Sequence, residues 1–109
     1  MTTSLSSSRI MVTGGSGFLG SHVVAELSRR GATRIEVPRS SAYDLRDMRA
    51  TEAAFDEAKP DLVIHLAAAV GGIGANRKHP GTFFHDNMAM GLHVLELSLI
   101  HISEPTRLR

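Results

Sequence analysis

The chain has 109 residues, 42% apolar and 21% charged, with no Cys and a net charge of +1. These bounds suit one small globular α/β domain and argue against disorder, collagen-like repeats and coiled coil. They give no electrostatic reason to expect nucleic acid or a membrane as partner, and absent Cys rules out disulfides and thiolate metal sites.

Residues 1–8, MTTSLSSS, are hydroxyl-rich and lack the apolar centre of a secretory signal, so a disordered leader is expected there. No apolar stretch approaches the ~20 residues of a membrane span. A cytoplasmic location is therefore expected. "RIMVT", Arg9 to Thr13, is a short apolar and β-branched run ending at glycines, the signal of a buried strand. From Phe18 to Arg30 the period lengthens: Leu19, Val23 and Leu27, with Val24 beside them, predict one apolar stripe of a helix. Gly31 follows where a helix end favours a left-handed residue.

"RIEVP", Arg34 to Pro38, reads as a second strand. Asp47 can cap a helix over Met48 to Lys59, stopped by Pro60. "DLVIHLAAA", Asp61 to Ala69, reads as a strand covered on both faces, with His65 satisfied by neighbouring main chain. After the glycine-rich loop Val70 to Gly81, the positions Phe84, Met88, Leu92, Leu95 and Leu99 predict a long helix from about Thr82, with Met88 and Met90 as core filler. The order β-α-β-α-β-α implies a parallel sheet with helical crossovers: a partial doubly wound Rossmann-type fold, cut off after about three βα units.

"GGSGFLG" places four glycines in seven positions where a strand turns into a helix. Its parses, G-x-G-x-x-G and G-x-x-G-x-x-G, both put bare amides and the positive helix end toward an incoming anion. Gly14 and Gly17 would let a pyrophosphate approach the main chain; Gly20 would let the helix lie close to the strand. Gly15, Ser16, Phe18 and Leu19 complete this candidate cofactor turn. A P-loop fails, because Ser21 and His22 stand where that motif needs Lys and a hydroxyl residue.

The adenosine end should be met past the second strand. Glu36, the candidate acidic group for NAD, falls inside the strand, whereas Arg39, with Ser40 and Ser41, lies just past it and suits a 2′-phosphate. NADP is the expected cofactor, with NAD possible. Asp44 and Leu45 are candidates for the adenine edge and face.

"VTGGSGFLGSHV", "DLRD" and "PDLVIHLAA" together resemble the N-terminal half of extended short-chain dehydrogenase/reductases, the NAD-dependent epimerase/dehydratase family. The string from Val70 to Asn87 is similar to the GDP-L-fucose synthase branch, and the resemblance covers roughly residues 9–96. It implies a cofactor-binding domain, with Ala67 and Ala68 near the cofactor. It also implies NADPH-dependent epimerisation and reduction of GDP-4-keto-6-deoxy-mannose, and a homodimeric full-length parent. Asn76 and Arg77 are candidates for contact with the nucleotide-sugar substrate.

The catalytic pair this resemblance implies, Tyr-x-x-x-Lys, has no counterpart: Tyr43 is the sole Tyr, Asp47 stands four positions on, and the only lysines are Lys59 and Lys78. No catalytic residue is assigned, and the fragment alone is expected to be inactive. A non-catalytic NAD(P)-binding sensor or regulator module is the alternative. The terminal "LSLIHISEPTRLR" resembles translated adapter read-through, so residues 97–109 are expected to be a non-native tail after a cofactor-binding part at 9–96. Against this, Leu95, Leu99 and Ile102 prolong the apolar stripe. Six His residues suggest no metal site, since His85, His93 and His101 are eight positions apart.

Overall fold

A computed structural model describes residues 5–68 and 80–101. Among the described residues three strands, β1 (Arg9–Thr13), β2 (Arg34–Glu36) and β3 (Leu62–His65), alternate with three helices, α1 (Phe18–Arg29), α2 (Met48–Ala58) and α3 (Pro80–His101). The sheet is parallel throughout, with order β2-β1-β3. The expected fold class therefore holds. In register, Ile10 pairs with Ile35 on one side and with Leu62 on the other, and Thr13 pairs with His65.

The centre of the sheet divides its residues by parity. Met11 points into a cluster with Leu45, Phe55, Ala58, Met90, Val94 and Leu97, on the side of α2 and α3. Ile10 and Val12 point the other way, toward Ala32 with Val24 and Leu27 of α1. This is the two-faced burial that makes β1 read as a continuous apolar run. Leu19, assigned by periodicity to the same stripe as Val23 and Leu27, is instead 60% exposed.

Both outer strands are shorter than their apolar runs. β2 stops at Glu36, before Pro38, which has no N–H for the ladder. β3 stops at His65 because the next two amides, of Leu66 and Ala67, turn to the Thr13 side chain. Asp61 ties the start of β3 to β1: its N–H donates to the Arg9 carbonyl (2.7 Å) and its carboxylate accepts from the Arg9 N–H (2.9 Å).

The helix ends follow local chemistry. The Asp47 side chain accepts from the Arg49 N–H and caps α2 as expected, and Lys59 closes it in the left-handed conformation (φ 45°). Gly31, at φ 105°, terminates α1 in the region glycine tolerates. α3 starts at Pro80, two residues before the expected Thr82, since proline fits a first helical position.

α3 carries apolar side chains on two sides. Met90, Val94 and Leu97 are buried in the core, whereas Phe84, Met88, Leu92, Leu95 and Leu99 are exposed. The expectation that Met88 fills the core is corrected: it shares the outward stripe, and Met90 alone of the two turns inward. Helical spacing detects a stripe but does not say which stripe faces the sheet. Leu97, first residue of the expected tail, sits in the core at 2% exposure, on a helix that runs on without a break. Of the expected leader, Leu5 packs against the α1-side cluster and Ser8 is buried.

Candidate functional site

Residues 14–20 leave the central strand and enter α1 in a tight turn. Gly14 holds φ 73°, and the Gly17 N–H donates to its carbonyl (3.0 Å). Gly17 is the N-cap of α1, without a capping side chain, and no acidic residue occupies the first helical turn. The positive end of the helix dipole is therefore left uncompensated by the protein, the condition for an anion site.

The three glycines of the fingerprint play different parts. A Cβ on Gly20 would lie 1.9 Å from the Gly14 carbonyl oxygen, so this position lets helix and turn touch. A Cβ on Gly14 would come within 2.8 Å of the Leu66 and Ala67 backbone, so Gly14 seats the turn against the end of β3. A Cβ on Gly17 would meet only the Gly14 oxygen, at 3.3 Å, and otherwise open space. Gly15, which a Cβ would drive into the Val37 side chain, is buried beneath the turn.

In front of this turn lies a cavity of about 580 Å³. Gly14, Ser16, Gly17, Phe18, Leu19 and Gly20 form one wall. Ser40, Asp44 and Leu45 form the second, and Ala67 and Ala68 the third. Eleven of the residues proposed from sequence thus converge on one space, within the size range of small-molecule sites. A dinucleotide fits this set: a bare, positively polarised turn for its diphosphate, flanked by an apolar and hydroxyl-bearing wall for a nucleoside.

Arg39 is not in that lining. It borders a second cavity of about 260 Å³ together with Glu36 and Ser41. The two spaces adjoin, sharing Pro38 and Tyr43. The Tyr43 hydroxyl donates to Glu57, and that carboxylate raises the phenol pKa above its usual value.

Tyr43, within the stretch Arg39 to Leu45 that the resemblance assigns to the adenosine end, also lines the large cavity, as do Pro38, Arg46, Leu66 and Met90, which the sequence did not assign to the site. Arg46 carried a signal, the "DLRD" string itself. Its guanidinium grips the Asp44 carboxylate (2.8 and 3.0 Å) and reaches Asp86 of α3 (3.5 Å). The bonds from Arg46 hold the Asp44 carboxyl down at about 2. The Leu45 carbonyl accepts from Thr51 Oγ1 of α2 (3.2 Å) and from His93 Nδ1 of α3 (2.9 Å), so both helices brace this turn. Met90 enters from α3, which only the tertiary fold brings near.

His65 corrects one expectation. Its partner is the Thr13 side chain, at 2.6 Å from Nδ1, where main chain was expected. The register places these two residues side by side. Asn76 and Arg77 lie outside the described residues. Among the described residues no group of three or more His, Asp or Glu is placed to hold a metal ion.

The sequence model described as "NAD dependent epimerase/dehydratase family" matches residues 10–107. The GDP-L-fucose synthase of Azorhizobium caulinodans is 40% identical over 87 residues, which is 80% of this chain and 28% of that protein. A GDP-L-fucose synthetase of Naegleria fowleri bound to NADP superposes with TM-score 0.74 at 32% identity, over 88% of this chain and 29% of that one. A GDP-mannoheptose C4 reductase of Campylobacter jejuni with NADP bound gives TM-score 0.81 at 26% identity, over 88% and 28%. The chain thus spans under a third of the length of these relatives.

Proposed function

The chain belongs to the NAD dependent epimerase/dehydratase family, and from that premise we propose that it forms the nucleotide-holding part of an NADP-dependent nucleotide-sugar epimerase/reductase, of the kind that acts on GDP-4-keto-6-deoxy-mannose. One observation carries this reading: the uncapped start of α1 stands on the glycine turn and faces a cavity that reaches Ser40, Asp44 and Leu45.

The nicotinamide of such a cofactor supplies the hydride chemistry. This chain's residues hold and orient. The amides of Ser16, Phe18 and Leu19 receive the diphosphate, the Gly17 N–H being held by the Gly14 carbonyl; Asp44, kept ionised by Arg46, accepts from an exocyclic amine; Ala67 and Ala68 leave room beside the turn. Arg39 and Ser40 meet the 2′-phosphate from the two sides of Pro38. Its relatives' names support both the cofactor and the substrate class. No Tyr in this chain has a Lys four positions on, so proton transfer to the sugar is assigned to other parts of a longer protein.

The outward apolar stripe of α3 supports a homodimer as the working assembly, since a contiguous exposed apolar patch commonly marks an interface. Among the described residues no helix is long and apolar enough to cross a membrane, and a cytoplasmic site of action is part of the proposal. Isothermal calorimetry tests the core of it. NADP+ should bind to the 109-residue chain more tightly than NAD+, and absence of heat with both would overturn the reading.

A further inference from the structure

Thr13 ends β1, is fully buried, and its side-chain oxygen has three neighbours. The Leu66 N–H (3.0 Å) and the Ala67 N–H (3.1 Å) both donate to Oγ1, and His65 Nδ1 lies 2.6 Å away. A hydroxyl has two lone pairs and one proton. Two amides occupy the lone pairs, so the proton is left for Nδ1, which must accept. His65 is therefore the neutral tautomer with its proton on Nε2.

We propose that Thr13 and His65 are a positioning pair that sets the Leu66–Ala67 wall of the cavity, and that the pair holds only while Nδ1 of His65 is unprotonated. A proton on Nδ1 would face an oxygen whose lone pairs are taken. Either an amide is released or the hydroxyl proton is stranded in a dry site, and both outcomes loosen the wall. Leu66 has a second acceptor in the Thr13 carbonyl (3.0 Å), but among the described residues Ala67 has the hydroxyl alone, so the loosening falls on Ala67. Gly14 packs on the same two residues, which carries the disturbance into the glycine turn.

Burial independently pushes the His65 pKa below its usual 6.5, and among the described residues no ionised group on a neighbouring element contributes. With a lowered folded value, the unfolded chain takes up its proton first as pH falls. The stabilisation is full above about 6.5 and declines below it, toward the folded value.

The consequence for cofactor rests on the nucleotide reading; the pair itself is tested without nucleotide. On the full chain labelled with ¹⁵N, the His65 ring should show a bare Nδ1 and a protonated Nε2 at pH 8. Thr13→Val should lower the protection of the Ala67 amide about tenfold while leaving that of Val12 unchanged, and Thr13→Ser should restore it. His65→Asn, whose Oδ1 can accept from Thr13 at every pH, should abolish the acid-dependent loss of Ala67 protection. A protonated Nδ1 at pH 8, or a Ser variant as unprotected as the Val variant, overturns the proposal. NADP+ affinity should follow Ala67 protection; failure of NADP+ to bind the native chain while the ring and exchange results stand would sink the nucleotide reading alone.

Discussion

Gly20 touches Gly14 so closely that a Cβ on the first would sit 1.9 Å from the carbonyl oxygen of the second. Gly17 has no such conflict: its Cβ would approach that same oxygen no nearer than 3.3 Å, and its φ of −78° suits any residue. Packing and ligand access are therefore separable within one turn. Gly20→Ala should cost about 3 kcal/mol or more of stability in urea unfolding. Gly17→Val should cost about 1 kcal/mol, as a poorer helix cap, yet lower NADP+ affinity at least tenfold by calorimetry. Equal stability losses at the two positions would contradict this division of roles.

Arg39 stands in the smaller cavity, across Pro38 from the glycine turn. If its guanidinium meets a 2′-phosphate, removing it affects only the ligand that carries one. Arg39→Ala should weaken NADP+ by about 1.5–3 kcal/mol and leave NAD+ within twofold. A parallel loss for both cofactors would assign Arg39 a structural part instead.

Asp44 is ionised to about pH 2 because Arg46 holds it, but both side chains are about half exposed. Solvent screening therefore keeps the pair's contribution to stability small. The sign is that of a depressed carboxylate: the contribution is present above the unfolded value near 3.9 and is lost as pH falls toward about 2. Arg46→Ala should raise the Asp44 pKa, read by carboxyl ¹³C shifts, and flatten the acid limb of stability over that window. An unmoved Asp44 titration would show that the guanidinium is not its partner in solution.

The two apolar sides of α3 make opposite predictions. Leu97→Ala, at 2% exposure, should cost about 2–5 kcal/mol. Leu95→Ala, at 59% exposure, should change stability by no more than about 0.5 kcal/mol. Leu92→Lys should reduce the concentration-dependent association that the proposed dimer requires of the native chain in sedimentation velocity. A monomeric native chain at high concentration would remove the support for a dimer.

The glycine turn and most element boundaries were legible because their constraints are local. Asp47 caps α2 with its own side chain, Gly31 takes a φ that other residues avoid, and β1 shows its double burial in five letters. What the sequence hid is set by partners far along the chain. Thr13 and His65 are 52 positions apart, and only the register between β1 and β3 makes them neighbours. Arg46 reaches Asp86 across 40 positions, and Met90 enters the cavity from a helix whose inward side the apolar period left ambiguous. Leu19 broke its stripe because the helix start faces the cavity, not the sheet.

The sheet order puts β1 between the other two strands, and the glycine turn grows directly from its end. Fraying at either margin of the sheet therefore leaves the glycine turn attached to a strand still paired on its other side. The margins themselves are unequal neighbours of the site. β2 carries the approach to Arg39 and Ser40, while β3 leads into Leu66 to Ala68, so under the proposed function melting one margin would blunt discrimination between the two cofactors and melting the other would widen the slot for both.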